Sequence, residues 1–522
     1  MHVIRFRLRV AAWQKDELDK RFRAAWHIHN ETVKYAQKCL NKLRNDRQYL
    51  DALAAYAEAS KKLKSMPDRK NKSKAAAKHK RELMLQKKEA AAILHEKVLA
   101  YGISRLDFYR FVSVMQRKIP HLISSQQAQR EADRVLTGVE KVLYGNGKRV
   151  HLKKLANQHS VSQKCATNGV TVDLKNKTAT WGSHRQNNML SMKIDINNTD
   201  PYVAESISHS LRYAEISREI FRNGYHYYIT LVLDGPAPKK LSPSKSGGAT
   251  GIDPGISTIA AVSGDSVRLQ ELAPKARSYE KKIAKQQRLI DADLRRDNPG
   301  NYESDGTVKS GSHTWVLSKG CRRRKQEVRV LNRKQAAATR NSHNRLANEL
   351  IAQNGVLFIT EEMNWAALAK RAKAKPERRM VPSVIKRKDG SEKTVFKYKK
   401  KRRFGASIHS RAPATMMSIL ARKADQYGGQ VACVDTKAFR ASQYHHDTGE
   451  YIKTTLSDRW KIIDQHKVQR DLYSAFLLLC ADVSGKMPDH DMCQALFPEF
   501  IDLHDQFIKQ TKSTPHPACF GY

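Results

Sequence analysis

GATGIDPGISTIAAV, residues 248–262, is the stretch on which the fold turns. Small and apolar residues lead into Asp253, a Pro-Gly turn follows, and Ile259 to Val262 run back as a second apolar strand, with a Gly-Asp turn and a third short strand behind them. This places Asp253 at the inner edge of a hairpin whose glycines leave room for a phosphate backbone. An aspartate before a turn is common, so the weight comes from two more acids downstream. In GVLFITEEMNW (355–365) a buried-type strand, Val356 to Thr360, runs straight into Glu361-Glu362. A carboxylate at the end of a core strand is costly unless it is paired or metal-bound. In KVQRDLYSAFLLLC (467–480), Leu472, Ala475, Phe476 and Leu479 form one helical face with Asp471 at its start. Taken alone, Asp471 reads as a helix-capping acid.

Together the three acids say more. An acid on a first strand, an acid after a later central strand and an acid on a C-terminal helix, in that order, are what an RNase H-like nuclease needs to hold two divalent cations ~3.5–4 Å apart. Hard cations demand oxygen ligands and leave coordination sites for water and a phosphate. The stretches between 253, 361 and 471 are too long to be sheet alone, so large insertions lie between the acids.

The rest of the chain fits a polyanionic partner. Its 522 residues carry 96 Lys+Arg against 51 Asp+Glu, a formal net charge of +45, which excludes an ordinary metabolic enzyme and points to nucleic acid. Length suggests roughly three domains of ~150 residues, and 40% hydrophobic content allows each a core. The longest largely apolar run, Leu472 to Ala481, falls short of the ~20 residues a bilayer needs, and the N-terminus has no apolar signal region, so a soluble intracellular protein with no membrane partner is expected. Seven scattered cysteines form no disulfide framework, and reduced thiols are expected. A duplex carries a charge per ~1.7 Å, so the excess suits a long duplex better than a short single-stranded site.

HVIRFRLRV (2–10) alternates Ile4, Phe6, Leu8 and Val10 with arginines, as a half-buried strand does. From Glu17 to about Tyr144 the spacing turns helical, with a basic stretch from Lys61 to Lys88 that is either a solvated face or a nucleic-acid surface. After Gly145 strands return, and Asn223-Gly224 between two β-rich runs signals a hairpin. A small β-barrel is expected here, joined by the first strand, with the helical region inserted. The Pro-, Ser-, Lys- and Gly-rich run LDGPAPKKLSPSKSGG is a linker, with a boundary near Ser246. Trp13, Trp26, Trp181 and Trp460 are assigned to cores. SKGCRRRKQEVRVLNRKQAAATRNSHNRLANELI reads as a helix pair, apolar on one side and cationic on the other, able to track a heteroduplex. KRKDGSEKTVFKYKKKRRFG reads as a β-hairpin or an arm that orders on binding, gripping phosphate or stacking bases, with a solvated loop as the alternative.

GIDPGISTIAAV resembles the first, VLFITEEMNW the second and VQRDLYSAF the third RuvC motif of TnpB, the transposon-encoded RNA-guided DNA nucleases, and of the type V CRISPR effectors descended from them. The segment from Phe404 to the Ser442-Gln443 pair is similar to that family's stretch between motifs two and three, and the resemblance covers nearly the whole chain. It implies a multidomain α+β protein: an RNase H-like (RuvC) α/β nuclease domain plus a wedge-type β-barrel with an inserted α-helical recognition domain. The implied spans are 1–13 for the first barrel strand, 14–164 for the helical domain and 165–246 for the rest of the barrel and linker. The nuclease takes 247–485, with a basic helical insertion (273–355), a basic arm (386–403) and a cysteine-less loop (437–468), and a helical tail takes 486–522.

The resemblance also implies Asp253, Glu361 and Asp471 as the catalytic, metal-binding triad, with Glu362 a non-catalytic neighbour. It implies two Mg2+ per site, for which Mn2+ could substitute, a guide RNA from a transposon end or a CRISPR array, and target double-stranded DNA bearing a short adjacent motif. The location implied is the cytoplasm of a prokaryote. Arg322, Arg323, Arg324, Arg329, Arg333, Lys399, Lys400, Lys401, Arg402, Arg403, Gln443 and Arg470 are the expected nucleic-acid contacts. A nuclease-inactive RNA-guided repressor and a DNA-strand transferase on the same fold are the alternatives. Many relatives carry a zinc ribbon after the Ser-Gln pair, whereas this chain has no cysteine from Val434 to Leu479, so zinc is not expected there. His445 and His446 are read as surface or nucleic-acid-facing residues. The distant pairs His490/Cys493 and His516/Cys519 are read as an ordinary tail rather than a zinc site.

Overall fold

The structure, a computed structural model, describes the chain apart from residues 67–73, 146, 184–186, 241, 245–247, 305, 370–379, 387–391, 399–403, 454, 456–457, 514–519 and 522, and apart from the side chains of 74–76 and 380–398. It is a mixed α/β protein that divides into two units, Met1–Pro238 and Lys239–Tyr522, the division falling inside the proline-rich linker.

In the first unit β1 (His2–Arg9) is followed by five helices: α1 (Ala12–Arg44), α2 (Arg47–Ser65), α3 (Lys74–Ala100), α4 (Arg105–Gln116) and α5 (Ser125–Leu143). Then come β2 (Ser160–Ser162), β3 (Val170–Asp173), β4 (Thr178–Trp181), β5 (Leu190–Asp195), α6 (Pro201–Ser208), β6 (Leu211–Phe221) and β7 (Gly224–Leu233). The seven strands form one curled sheet in the order β2-β6-β7-β1-β5-β4-β3, and β3 at one edge comes back to touch β6. The alternation of β1 is reproduced as buried and exposed residues in strict turn, and β1 sits inside the sheet between β7 and β5. Its apolar face shares one core with Phe22 and Ile28 of α1, Phe108 of α4, Val135 of α5 and Trp181 of β4. Sheet and helices are thus one packing unit, and β2 lies inside the stretch expected to be helical. Trp13 corrects its assignment to a core: at the first turn of α1 it is 61% exposed, because the buried stripe of that helix begins only at Leu18.

The second unit is a three-layer arrangement. β8 (Ala249–Pro254), β9 (Thr258–Val262) and β10 (Val267–Glu271) form an antiparallel meander, followed by α7 (Ala276–Asp297), α8 (Lys319–Asn354), β11 (Leu357–Glu361) and the short α9 (Trp365–Ala369). A hairpin of β12 (Met380–Lys386) and β13 (Glu392–Tyr398) precedes α10 (Gly405–Arg411), α11 (Pro413–Gln426), β14 (Gln430–Val434) and the one-turn α12 (Thr436–Phe439). The hairpin of β15 (Trp460–Ile463) and β16 (His466–Gln469), α13 (Arg470–Leu479) and α14 (His490–Lys512) complete it.

The five-stranded sheet runs β10-β9-β8-β11-β14, with β8, β11 and β14 parallel. One face is covered by Leu346 and Leu350 of α8 and Met416 and Leu420 of α11, the other by Leu472, Ala475 and Phe476 of α13 and Phe497, Phe500 and Ile501 of α14. The C-terminal helix therefore shares the core of α13. The predicted helix pair at 318–351 is one 36-residue helix, α8, since no proline or interior glycine interrupts it, and its partner is α7. Among the described residues no helix is long and apolar enough to cross a membrane, and the six described cysteines are free.

Candidate active site

Strand and helix periodicity explain why two of the acids meet. Gly251 and Asp253 are two residues apart on β8 and so share a face, ~6.6 Å apart along the strand. Asp471 and Ala475 are four apart on α13 and so share a face, ~6 Å apart along its axis. α13 lies on β8 so closely that a Cβ built on Gly251 would stand 2.0 Å from the Ala475 carbonyl oxygen and 2.4 Å from the Leu479 nitrogen. The glycine contact thus sets Asp471 over Asp253. The glycine ahead of the acid is the point at which a helix packs on the strand. The parallel register of β11 with β8, which pairs Thr360 with Ile252, carries Glu361 one step further to the side of Asp253.

The electrostatics carry the same signature. The Asp253 carboxyl is pushed well above the ordinary aspartate range, first by burial, then by the negative charges of Asp471 and Glu361, with Arg470 opposing. Glu361 is raised by burial, against which the Ala441 N–H, donating to its Oε1 at 3.2 Å, works in the other direction. Glu362 is exposed. Asp471 does not cap its helix, since the Gln469 side chain accepts the Leu472 N–H at 2.8 Å. Its Oδ1 instead accepts from Arg470 Nη2 at 3.0 Å and Nε at 3.2 Å, and Arg459 Nη1 lies 3.7 Å from Oδ2. Arg470 also donates to the Asp458 carbonyl at 2.9 Å, so this expected nucleic-acid contact is engaged within the protein.

The triad is not a finished cage. Among the described residues no three His, Cys, Asp or Glu side chains stand close enough as placed to hold a metal ion, with Asp471 turned onto Arg470 and Glu361 onto Ala441. The donor set fits a hard cation all the same. All three groups are oxygen acceptors, the charges of Asp471 and Glu361 act on Asp253, and no side-chain hydrogen bond to the Asp253 carboxylate is made by another described residue.

The remaining expected contacts are distributed differently. Arg322 and Arg323 are exposed on the first turns of α8, and Arg324 is ion-paired with Asp293 of α7. Arg329 and Arg333 are partly buried on the same helix. A cleft of about 930 Å³ between the meander and the two long helices is lined by Arg268, Lys275, Tyr279, Arg333, Lys334 and Arg345. Gln443 is half-buried, its carbonyl accepting the Ile452 N–H at 2.8 Å. Lys399, Lys400, Lys401, Arg402 and Arg403 lie outside the described residues, as do His516 and Cys519.

His445 and His446 correct their reading as surface residues: they are 8% and 3% exposed. The His446 ring packs 4.5 Å from that of Phe497, and its Nδ1 and backbone N–H meet the Tyr473 hydroxyl at 2.9 and 3.1 Å. Burial holds both imidazoles below their usual pKa, so they pack as neutral rings. The cysteine-less loop is anchored this way to α13, the helix that carries Asp471. Tyr473→Phe leaves two buried groups of His446 without their partner and is expected to cost about 1–3 kcal/mol, read as a lowered unfolding midpoint.

No family model matches the sequence, and no curated protein matches it. Solved structures similar to the chain include two Cas12f complexes. One is a Cas12f1–sgRNA–target DNA complex determined by cryo-EM, 11% identical, covering 91% of this chain and 97% of its own with a TM-score of 0.42. The other is a CRISPR-Cas12f ternary complex, 12% identical, covering 89% and 81% with a TM-score of 0.24. What the site can do follows from its own carboxylates.

Proposed function

We propose that the chain is an RNA-guided, magnesium-dependent DNA endonuclease with a single RNase H-like, RuvC-type site. The observation that carries this reading is that the register of β11 and the packing of α13 on β8 bring Glu361 and Asp471 to Asp253, whose carboxyl feels both charges. The sheet order supports it: an antiparallel meander whose first strand lies against two parallel strands puts two acids at adjacent strand ends, with the third on a covering helix. The three motifs and the net charge of +45 support a guide RNA and target duplex as partners, with base pairing supplying sequence choice and the protein reading duplex shape and a short adjacent motif.

In this reading Asp253, Glu361 and Asp471 hold two Mg2+, which when bound lower the pKa of the attacking water and stabilise the leaving 3′ oxygen. Asp253 offers from the end of β8 a carboxylate that has no side-chain hydrogen-bond partner among the described residues. Glu361 is kept in orientation by the Ala441 N–H, and Asp471 joins them by turning from Arg470. The guanidinium so released lies beside the site, where it can neutralise phosphate charge.

The test is cleavage of a plasmid by the protein purified with its co-expressed RNA. Cutting of both strands in Mg2+ or Mn2+ is expected, lost on addition of EDTA and lost after ribonuclease treatment. Retained binding without nicks in either metal would replace this reading with the repressor, and activity that survives ribonuclease would replace it with an RNA-independent DNA enzyme.

A further inference from the structure

Arg440 follows the one-turn α12 with φ 47° and ψ 50°, in the left-handed region. For a residue with a Cβ that conformation costs on the order of 1–3 kcal/mol and persists only where its surroundings over-determine it. Here they do. The guanidinium carbon lies 3.8 Å from the centre of the Tyr451 ring, and Tyr451 is in turn bridged to Tyr444. The Arg440 carbonyl accepts the N–H groups of Gln443 at 2.8 Å and Tyr444 at 3.3 Å. The outcome of the turn is the direction of the next peptide, whose N–H, on Ala441, donates to Glu361 Oε1. A helical or extended residue at 440 would swing that N–H away from the carboxylate.

We propose that Arg440 is a positioning residue. Its left-handed backbone, clamped through its guanidinium on Tyr451, aims the Ala441 N–H at Glu361 and fixes the orientation in which that carboxylate meets a divalent cation. The device also ties the cysteine-less loop, which contains Tyr451, to the metal-binding acids. The inference rests on the reading of Glu361 as a metal ligand.

The experiment is a Mn2+ titration of the full-length protein in its RNA complex, with free Mn2+ read by electron paramagnetic resonance. Arg440→Val, whose branched Cβ opposes the left-handed region, is expected to weaken Mn2+ binding about 10–100-fold, the range for groups that orient a ligand. Arg440→Gly, which accepts positive φ without a clamp, is expected to retain most of the affinity. Glu361→Gln measures the premise separately. If it leaves Mn2+ binding unchanged, Glu361 is not a ligand and the functional reading fails at that residue. If it abolishes binding while Arg440→Val binds as the parent does, the positioning role is overturned. A loss in Arg440→Gly as large as in Arg440→Val overturns it too, since the charge and not the backbone would then matter. Should Arg440→Val fail to fold, Tyr451→Ala removes the clamp without touching residue 440: weakened Mn2+ binding supports the role and unchanged binding overturns it.

Discussion

Asp253→Asn is expected to lower DNA cleavage by at least ~10³-fold while leaving the RNA complex intact, since a metal-binding carboxylate contributes to chemistry more than to packing. The same substitution is expected to raise the melting temperature of the metal-free protein. Asp253 is half-buried, faces the charges of Asp471 and Glu361, and has its carboxyl pushed well above the ordinary range. A carboxyl raised on folding does no harm below its unfolded pKa, and stability is lost as pH rises through the folded value. In EDTA the parent should therefore lose stability as pH rises above the ordinary aspartate range, and Asp253→Asn should lose less. Thermal melts across that rise in pH check it. An asparagine variant that melts below the parent at every pH would mean that the site does not gather repelling charge.

The second large effect is expected at a residue with no side chain. Gly251→Ala puts a methyl 2.0 Å from the Ala475 carbonyl oxygen and 2.4 Å from the Leu479 nitrogen, backbone atoms of α13 that cannot yield singly. Forced overpacking of this kind costs ~1–3 kcal/mol and sometimes more. Because Asp471 rides on the same helix, cleavage should fall further than stability alone explains, at temperatures where the variant is still folded. Gly264→Ala is the matched control: a Cβ there meets nothing within 4 Å, and neither melting nor cleavage should change. Equal behaviour of the two variants would show that the approach of α13 to β8 is looser than the structure has it.

Both predictions trace to features of unequal legibility. The acids could be found in the sequence because each stands at a break in apolar periodicity: Asp253 before a Pro-Gly turn, Glu361 at the end of a five-residue strand, Asp471 ahead of an apolar helix. The alternation of Ile4, Phe6 and Leu8 was equally readable, since period two has one structural meaning. What lay beyond reach was set by partners distant in the chain. Gly251 looks like any strand glycine until α13 is placed on it. The Ala441 N–H is a backbone group with no residue signature, and a left-handed arginine is announced by nothing in KAFRASQ. Trp13 and the His445-His446 pair were misplaced for a common reason. Residue type gives only an average tendency to be buried, whereas Tyr473 and Phe497 make a specific cavity that an imidazole fills.

The loop around His446 has a consequence for handling the protein. Sulfur–metal bonds fall to chelators and oxidants, but a segment fastened by the rings of His446, Tyr473 and Phe497 is indifferent to both. Its attachment draws on ring packing and on the two hydrogen bonds of His446 with the Tyr473 hydroxyl. A chelating buffer should therefore leave this segment in place.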